Sequence, residues 1–245
     1  MNERDWDAVA ARFEKEIFNV PANDRKGLIA TAVKRHAKQD GIAADIGCGV
    51  GRTVGLLAAH FGKVIASDVS TECLSIAVRR NKALRNVSYH QVDLIAERPP
   101  GPAADLALCI NTLLIADETA RTRMFAHVCA AVRPGGVLVL VAPSMESVLL
   151  THARHSEWKQ RAKGKARPPG SMNSDGDAVL HGVVCIDDVP TKHYSSDELT
   201  SSLAMHEFRT VEVEKLEYPW STEFDRPPSW MGAPHPWDWF VVARA

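Results

Sequence analysis

Three glycines at alternate positions, Gly47, Gly49 and Gly51, follow the apolar run Ile42-Ala-Ala-Asp-Ile46 and precede an amphipathic run from Arg52 to Phe61. Glycine at this spacing lets backbone approach a ligand with no side chain between. A strand feeding a helix start also brings amide N–H groups and partial positive charge. Asp45 heads the turn, and two further acids close later apolar runs. Asp68 ends Lys63-Val-Ile-Ala-Ser67, where a carboxylate can accept both hydroxyls of a ribose on its two oxygens. Asp93 follows Val87-Ser-Tyr-His-Gln-Val92. Glycine turn and ribose-binding acid together point to an adenosine-bearing cofactor. A dinucleotide site also carries an acid at the place of Asp68, but its G-x-G-x-x-G would need glycine where this chain has Arg52.

The elements that must hold these residues alternate along the chain. Trp6, Val9, Phe13, Ile17 and Phe18, then Leu28, Ile29, Ala32 and Val33, have helical spacing on either side of Pro21-Ala-Asn-Asp24. Two amphipathic helices are therefore expected over residues 1–35, ahead of the first strand. Glu97-Arg-Pro-Pro-Gly-Pro102 is a linker, and Asp105-Leu-Ala-Leu-Cys-Ile110 reads as a strand buried on both faces, ending at Asn111. A helix over 117–132 leads to Arg133-Pro-Gly-Gly136, a reversal feeding the strand 137–142. Residues 143–192 interrupt this rhythm. They hold an expected helix over 146–161, the basic segment Lys159–Arg167, Pro168-Pro-Gly170, a polar loop over 171–177 and a short hairpin over 178–189. So long a stretch reads as an inserted lid or substrate-facing element. A helix capped by Ser195 or Ser196, a strand over 208–216, a Pro/Trp-rich loop over 220–236 and a last strand over 237–243 complete the chain.

The spacing Asp45-x-Gly47-x-Gly49-x-Gly51, the acids Asp68 and Asp93 at successive strand ends, and "helix, Arg-Pro-Gly-Gly, apolar strand" resemble the class I S-adenosylmethionine-dependent methyltransferases of small-molecule type. The likeness is strong over 42–142 and moderate over 192–243. It implies a Rossmann-like α/β fold: a seven-stranded, mostly parallel sheet with an antiparallel last strand and helices on both faces. One domain spans 1–245, with cap helices in 1–35, a cofactor-binding core in 42–142, the insert in 143–192, and the last helix and strands in 193–245. The resemblance places S-adenosylmethionine against Asp45, Gly47, Cys48, Gly49, Gly51, Arg52, Asp68, Val69, Asp93, Leu94 and Asn111, with Asp93 accepting from the adenine amino group. It implies that the N-terminal helices cover the cofactor. The reaction would be in-line displacement at the sulfonium methyl, served mainly by proximity, with His181, His193, Tyr194 and Asn111 as candidates for a base. An NAD(P)-dependent oxidoreductase and a non-catalytic adenosylmethionine binder are the competing readings.

Absences narrow the acceptor. Asn111-Thr-Leu-Leu114 stands where nucleobase amino-methylating relatives carry N-P-P-Y-like residues, no Pro-Cys nucleophile occurs, and Asn111 replaces the acid of metal-dependent catechol relatives. A small-molecule acceptor and no metal are expected. The net charge of −1 provides no field to recruit nucleic acid or an anionic membrane, and no run approaches a membrane span. Five scattered cysteines, never in a C-x-x-C pair, read as reduced thiols in a cytoplasm. With 245 residues, 45% of them hydrophobic, one full core can form.

Overall fold

Apolar runs of five to eight residues alternating with amphipathic ones leave the strands covered on both faces, and the chain folds accordingly. The computed structural model describes residues 3–162, 176–186 and 188–245. Four short helices come first: α1 (Glu3–Ala10), α2 (Phe13–Glu16), α3 (Val20–Asn23) and α4 (Leu28–Arg35). Then follow β1 (Lys38–Ile46), α5 (Val54–Ala58), β2 (Phe61–Asp68), α6 (Thr71–Arg80), β3 (Val87–Gln91), β4 (Ala104–Ile110), α7 (Glu118–Ala130) and β5 (Val132–Pro143). Beyond these lie α8 (Met145–Arg161), α9 (Gly176–Leu180), β6 (Val183–Ile186), β7 (Val189–Lys192), α10 (Ser196–Met205), β8 (Arg209–Glu217) and β9 (Trp237–Arg244). A single sheet has the order β3-β2-β1-β4-β5-β9-β8, while β6 and β7 form a separate hairpin. The first five strands of that order run parallel, and β9 is antiparallel to both β5 and β8.

Two apolar layers clamp the sheet. On one face Ile46, Cys109, Leu138 and Leu140 pack against Phe125 and Val128 of α7 and Leu199 and Leu203 of α10. On the other, Leu106, Leu108, Val139 and Val141 meet Ile29 and Val33 of α4 and Leu57 of α5. At about 25 cal/mol per Å² of apolar surface removed from water, burial on both faces stabilises the central strands most. That rigidity is what fixes the positions of their carboxyl ends.

Several boundaries differ from the sequence reading for local reasons. Two amphipathic helices were expected before β1, but Asn19 accepts from the Ala22 N–H and starts α3 through Pro21, so the expected break is itself a helical turn. The helix after the glycine turn runs only Val54–Ala58, because β2 begins at Phe61. Arg133-Pro-Gly-Gly136 lies within β5: Val132 pairs with Ala104 and Val137 with Leu106, so these four residues bulge opposite Asp105. The hairpin in the insert is shifted to 183–192, with α9 before it. Most of the basic segment beyond Ala162, Pro168-Pro-Gly170 and most of the polar loop over 171–177 lie outside the described residues. Among the described residues no helix is long and apolar enough to cross a membrane, and all five cysteines are free thiols.

Candidate functional site

The glycine turn follows β1 at the carboxyl edge of the sheet. Gly47 has φ +69°, and a Cβ there would come within 2.2 Å of Thr112 Oγ1. Thr112 is held in place because its hydroxyl bonds the Ile46 carbonyl at 3.1 Å, tying the turn to the end of β4. At Gly49, also at positive φ, a Cβ would meet the Phe13 ring at 2.9 Å. Glycine is therefore required on one side by β4 and on the other by the N-terminal helices.

Four amides of the turn are used within the protein. Gly47 N and Cys48 N donate to the Ser67 carbonyl, Gly51 N to the Cys48 carbonyl, and Gly49 N to Asp68 Oδ2 at 2.8 Å. These four amides therefore already have acceptors within the protein. The α5 helix, five residues long, also offers little of a macrodipole. A pyrophosphate needs such donors; this turn instead offers close approach along its backbone.

The three acids occupy three different environments. Asp45 is 3% exposed and accepts from Thr53 Oγ1 at 2.7 Å. Burial pushes its carboxyl up to about 7, against the opposing Thr53 hydroxyl and with help from the nearby Asp68. It braces the turn from beneath. Asp68, at the tip of β2, accepts from Gly49 N and Ser70 N, one on each oxygen. Burial raises its pKa while those amides oppose the rise. Each oxygen keeps a lone pair for a further donor. Asp93 is exposed just after β3, with Oδ1 accepting from Ile95 N, and Leu94 beside it is buried.

Arg52 is tied to the N-terminal segment. Its guanidinium bonds Glu14 at 2.7 Å and the Ile17 and Phe18 carbonyls, and lies 5.1 Å from the Phe13 ring centroid. It ties the glycine turn to α2. Asp7 of α1 does the same at β2, accepting from Ser70 Oγ at 2.5 Å and from Glu72 N. The N-terminal helices thus dock on the turn.

The candidate bases separate into two groups. His181 and His193 line a cavity of about 280 Å³ with Arg121, Met145, Lys192 and Glu198. Burial lowers the His193 pKa to about 4, and its Nδ1 lies 3.1 Å from the Thr191 carbonyl, so the neutral ring donates there and carries its lone pair on Nε2. Tyr194 is buried and gives its hydroxyl to the Leu113 carbonyl at 2.6 Å; burial holds its pKa up, which suits a brace better than a base. Asn111 belongs elsewhere: its Nδ2 donates to Asp238 Oδ2 at 2.9 Å, with Tyr218 on the same oxygen. Sequence reasoning missed Phe13, Thr112, Tyr218 and Asp238. Asp238 was open to detection as the one charged residue in the buried stretch Trp237–Ala243. Trp220, Trp237 and Trp239 are buried and serve as packing.

Residues 43–136 match the family model described as a methyltransferase domain. The seven-stranded sheet agrees with that match. Over that segment the chain is similar to a methyltransferase domain. Over 145 residues it is 33% identical to trans-aconitate 2-methyltransferase of Paracidovorax citrulli (strain AAC00-1), a match covering 57% of this chain and 50% of that protein. The alignment thus spans about half the length of that curated relative. Among solved structures, the PH0226 protein from Pyrococcus horikoshii OT3 superposes with a TM-score of 0.67 at 15% identity, covering 96% of this chain and 98% of that one. The N-methyltransferase NodS from Bradyrhizobium japonicum WM9, solved with S-adenosyl-L-homocysteine, gives 0.62 at 14% identity, over 98% and 97%. At such identities these structures speak only to the fold of this chain. Among its described residues no group of three or more His, Cys, Asp or Glu is arranged to hold a metal ion.

Proposed function

We propose that the protein transfers a methyl group from S-adenosylmethionine to a small-molecule acceptor. The observation that carries this reading is the glycine turn itself. Its Gly47, Cys48, Gly49 and Gly51 amides bond Ser67, Cys48 and Asp68, so it suits a donor that carries no phosphate at that point. The residues present fit such a donor. Asp68 retains acceptor capacity for two ribose hydroxyls, Asp93 is exposed for an adenine amino group, and the apolar Val69 and Leu94 follow these two acids in the chain. Gly47, Cys48, Gly49 and Gly51 admit the backbone side of the ligand, Asn111 borders its reacting end, and Asp45 and Arg52 support the turn from beneath and from α2.

When bound, S-adenosylmethionine supplies an electrophilic methyl on a sulfonium. The protein's own part is to align an acceptor and exclude water, a contribution of roughly 7–11 kcal/mol in favourable cases. Phe13 over Gly49 and the Arg52–Glu14 tie make the N-terminal helices the water-excluding cover. His193 is neutral at physiological pH and available as a proton acceptor on the side of the His181–Lys192 cavity.

The test is a thermal-shift and calorimetry panel of adenosylmethionine, adenosylhomocysteine and NAD(H). Stabilisation by the first two is expected, and stabilisation by NAD(H) alone would overturn the proposal. Asp68→Ala should weaken adenosylhomocysteine binding by about 1.5–3 kcal/mol, the scale of hydrogen bonds to a charged group. Unchanged affinity would remove Asp68 from the site. Appearance of labelled methyl in a metabolite extract separates an enzyme from a binder.

A further inference from the structure

Beyond the glycine turn, three residues from distant parts of the chain meet at the carboxyl end of β4. Asn111 follows β4, Tyr218 follows β8, and Asp238 lies at the start of β9, where it pairs with Pro143 of β5. Asn111 Nδ2 and Tyr218 OH both donate to Asp238 Oδ2, at 2.9 and 2.7 Å. Oδ1 of this carboxylate, on a residue only 8% exposed, receives no hydrogen bond among the described residues. Asn111 Oδ1 is likewise buried without a donor. Asn111 is also held at φ +46°, a left-handed conformation that aims its amide across β5 to Asp238. Two acceptor oxygens on mutually bonded side chains therefore lack hydrogens, beside the turn where the reaction is placed.

The charge points the same way. Asp238 is close enough to Glu223 to raise the pKa of Glu223 further, burial pushes both carboxyls up, and neither forms a salt bridge among the described residues. Asp105, by contrast, lies between Lys38 and Arg133. The Phe18 ring packs edge-on to Tyr218 with centroids 4.6 Å apart and forms an apolar wall. A ligand that supplies both N–H donors and positive charge is an amine. A carboxylate acceptor would add acceptors and negative charge where both are already in excess.

Building on the methyl-transfer reading, we infer that the acceptor is a primary or secondary amine whose nitrogen is gripped by Asp238 Oδ1 and Asn111 Oδ1. The protein's chemical step is then a proton transfer. The ammonium N–H bond breaks, an O–H bond forms on Asp238, and the electron pair stays on nitrogen as the lone pair that takes up the methyl. The N-methylated product leaves as an ammonium, and Asp238 releases its proton to solvent. Tyr218 and Asn111 hold the carboxylate in place; an anionic acceptor would instead suit the cavity of Arg121, Lys192 and the two histidines.

The experiment offers the full chain methyl-labelled adenosylmethionine with two pools: small primary and secondary amines, and carboxylates and alcohols of matched skeleton. Label is expected in the amine pool only. In Asp238→Asn, kcat/KM for the labelled amine should fall at least about tenfold, the lower end for a charged hydrogen bond. Calorimetric binding of that amine to the adenosylhomocysteine complex should weaken in parallel, while adenosylhomocysteine affinity stays within about threefold. Label confined to carboxylates or alcohols, or to neither pool in a chain that binds adenosylhomocysteine, overturns the inference. So does loss of adenosylhomocysteine binding in a folded Asp238→Asn, because the carboxylate would then serve the donor. Failure of the wild type to bind adenosylhomocysteine would instead overturn the methyl-transfer reading. The pool result needs no variant, and Tyr218→Phe, which removes a single donor, is the milder substitution should Asp238→Asn not fold.

Discussion

At the scale of single residues, similar side chains serve different ends according to burial. Asp45 and Asp68 lie at the ends of neighbouring strands, yet one is sealed under the turn and the other keeps lone pairs to offer. The folded-state pKa of Asp45, about 7, lies above the usual carboxylate value. The native state therefore holds a proton that the unfolded chain has released, and stability falls as pH rises from about 4 to about 7. Asp45→Asn keeps an acceptor for Thr53 and removes that slope. Denaturant melts of both proteins at pH 4.5 and 7.5 should show a smaller loss in the variant, and equal slopes would refute the assignment. Gly47→Ala meets both a positive φ and the Thr112 hydroxyl, so a cost of roughly 2–4 kcal/mol is expected in the same assay.

Among elements, the N-terminal helices matter through their attachments rather than their own stability. The pieces α1 to α4 have eight residues or fewer, too short to persist alone in water. They are held by Arg52 on Glu14 and two carbonyls, by Asp7 on Ser70, and by Phe13 on Gly49. Removing Arg52 should loosen this cover while leaving the sheet intact. In Arg52→Ala, hydrogen exchange across residues 3–23 should quicken by about ten- to a hundredfold, consistent with roughly 1.5–3 kcal/mol for bonds to a charged group. Protection in the strands should not change. Uniform loss of protection would mean that the helices are part of the core and not a cover over it.

For the whole molecule, the decisive arrangement is the antiparallel β9 placed between β5 and β8. It brings residue 238 beside residue 111. The opposite edge is cross-linked by Asp105, which accepts from Ile42 N, Lys38 and Arg133 and so joins β1, β4 and β5. Burial would raise its pKa, but these donors overrule it and hold the carboxyl down to about 2. Its contribution is present above about pH 4 and is lost as pH falls toward 2. Asp105→Asn should therefore cost about 1–2 kcal/mol at neutral pH, allowing for its half-exposed cationic partners, and nothing near pH 2. Acid and urea melts would measure the difference.

The succession of strands and helices, the parallel core and the three acid-bearing strand ends were legible in the order of residues, because they depend on local periodicity and on what glycine and proline permit. The direction of the last strand also followed from family likeness. The use of each group was decided only when the chain closed on itself. The amides of the turn could not be known as spent until Ser67 lay beside them, nor Arg52 as a strap until α2 was docked. Tyr218 and Asp238 lie more than a hundred residues from Asn111, so nothing in neighbouring sequence announces their meeting; it is a consequence of sheet order alone.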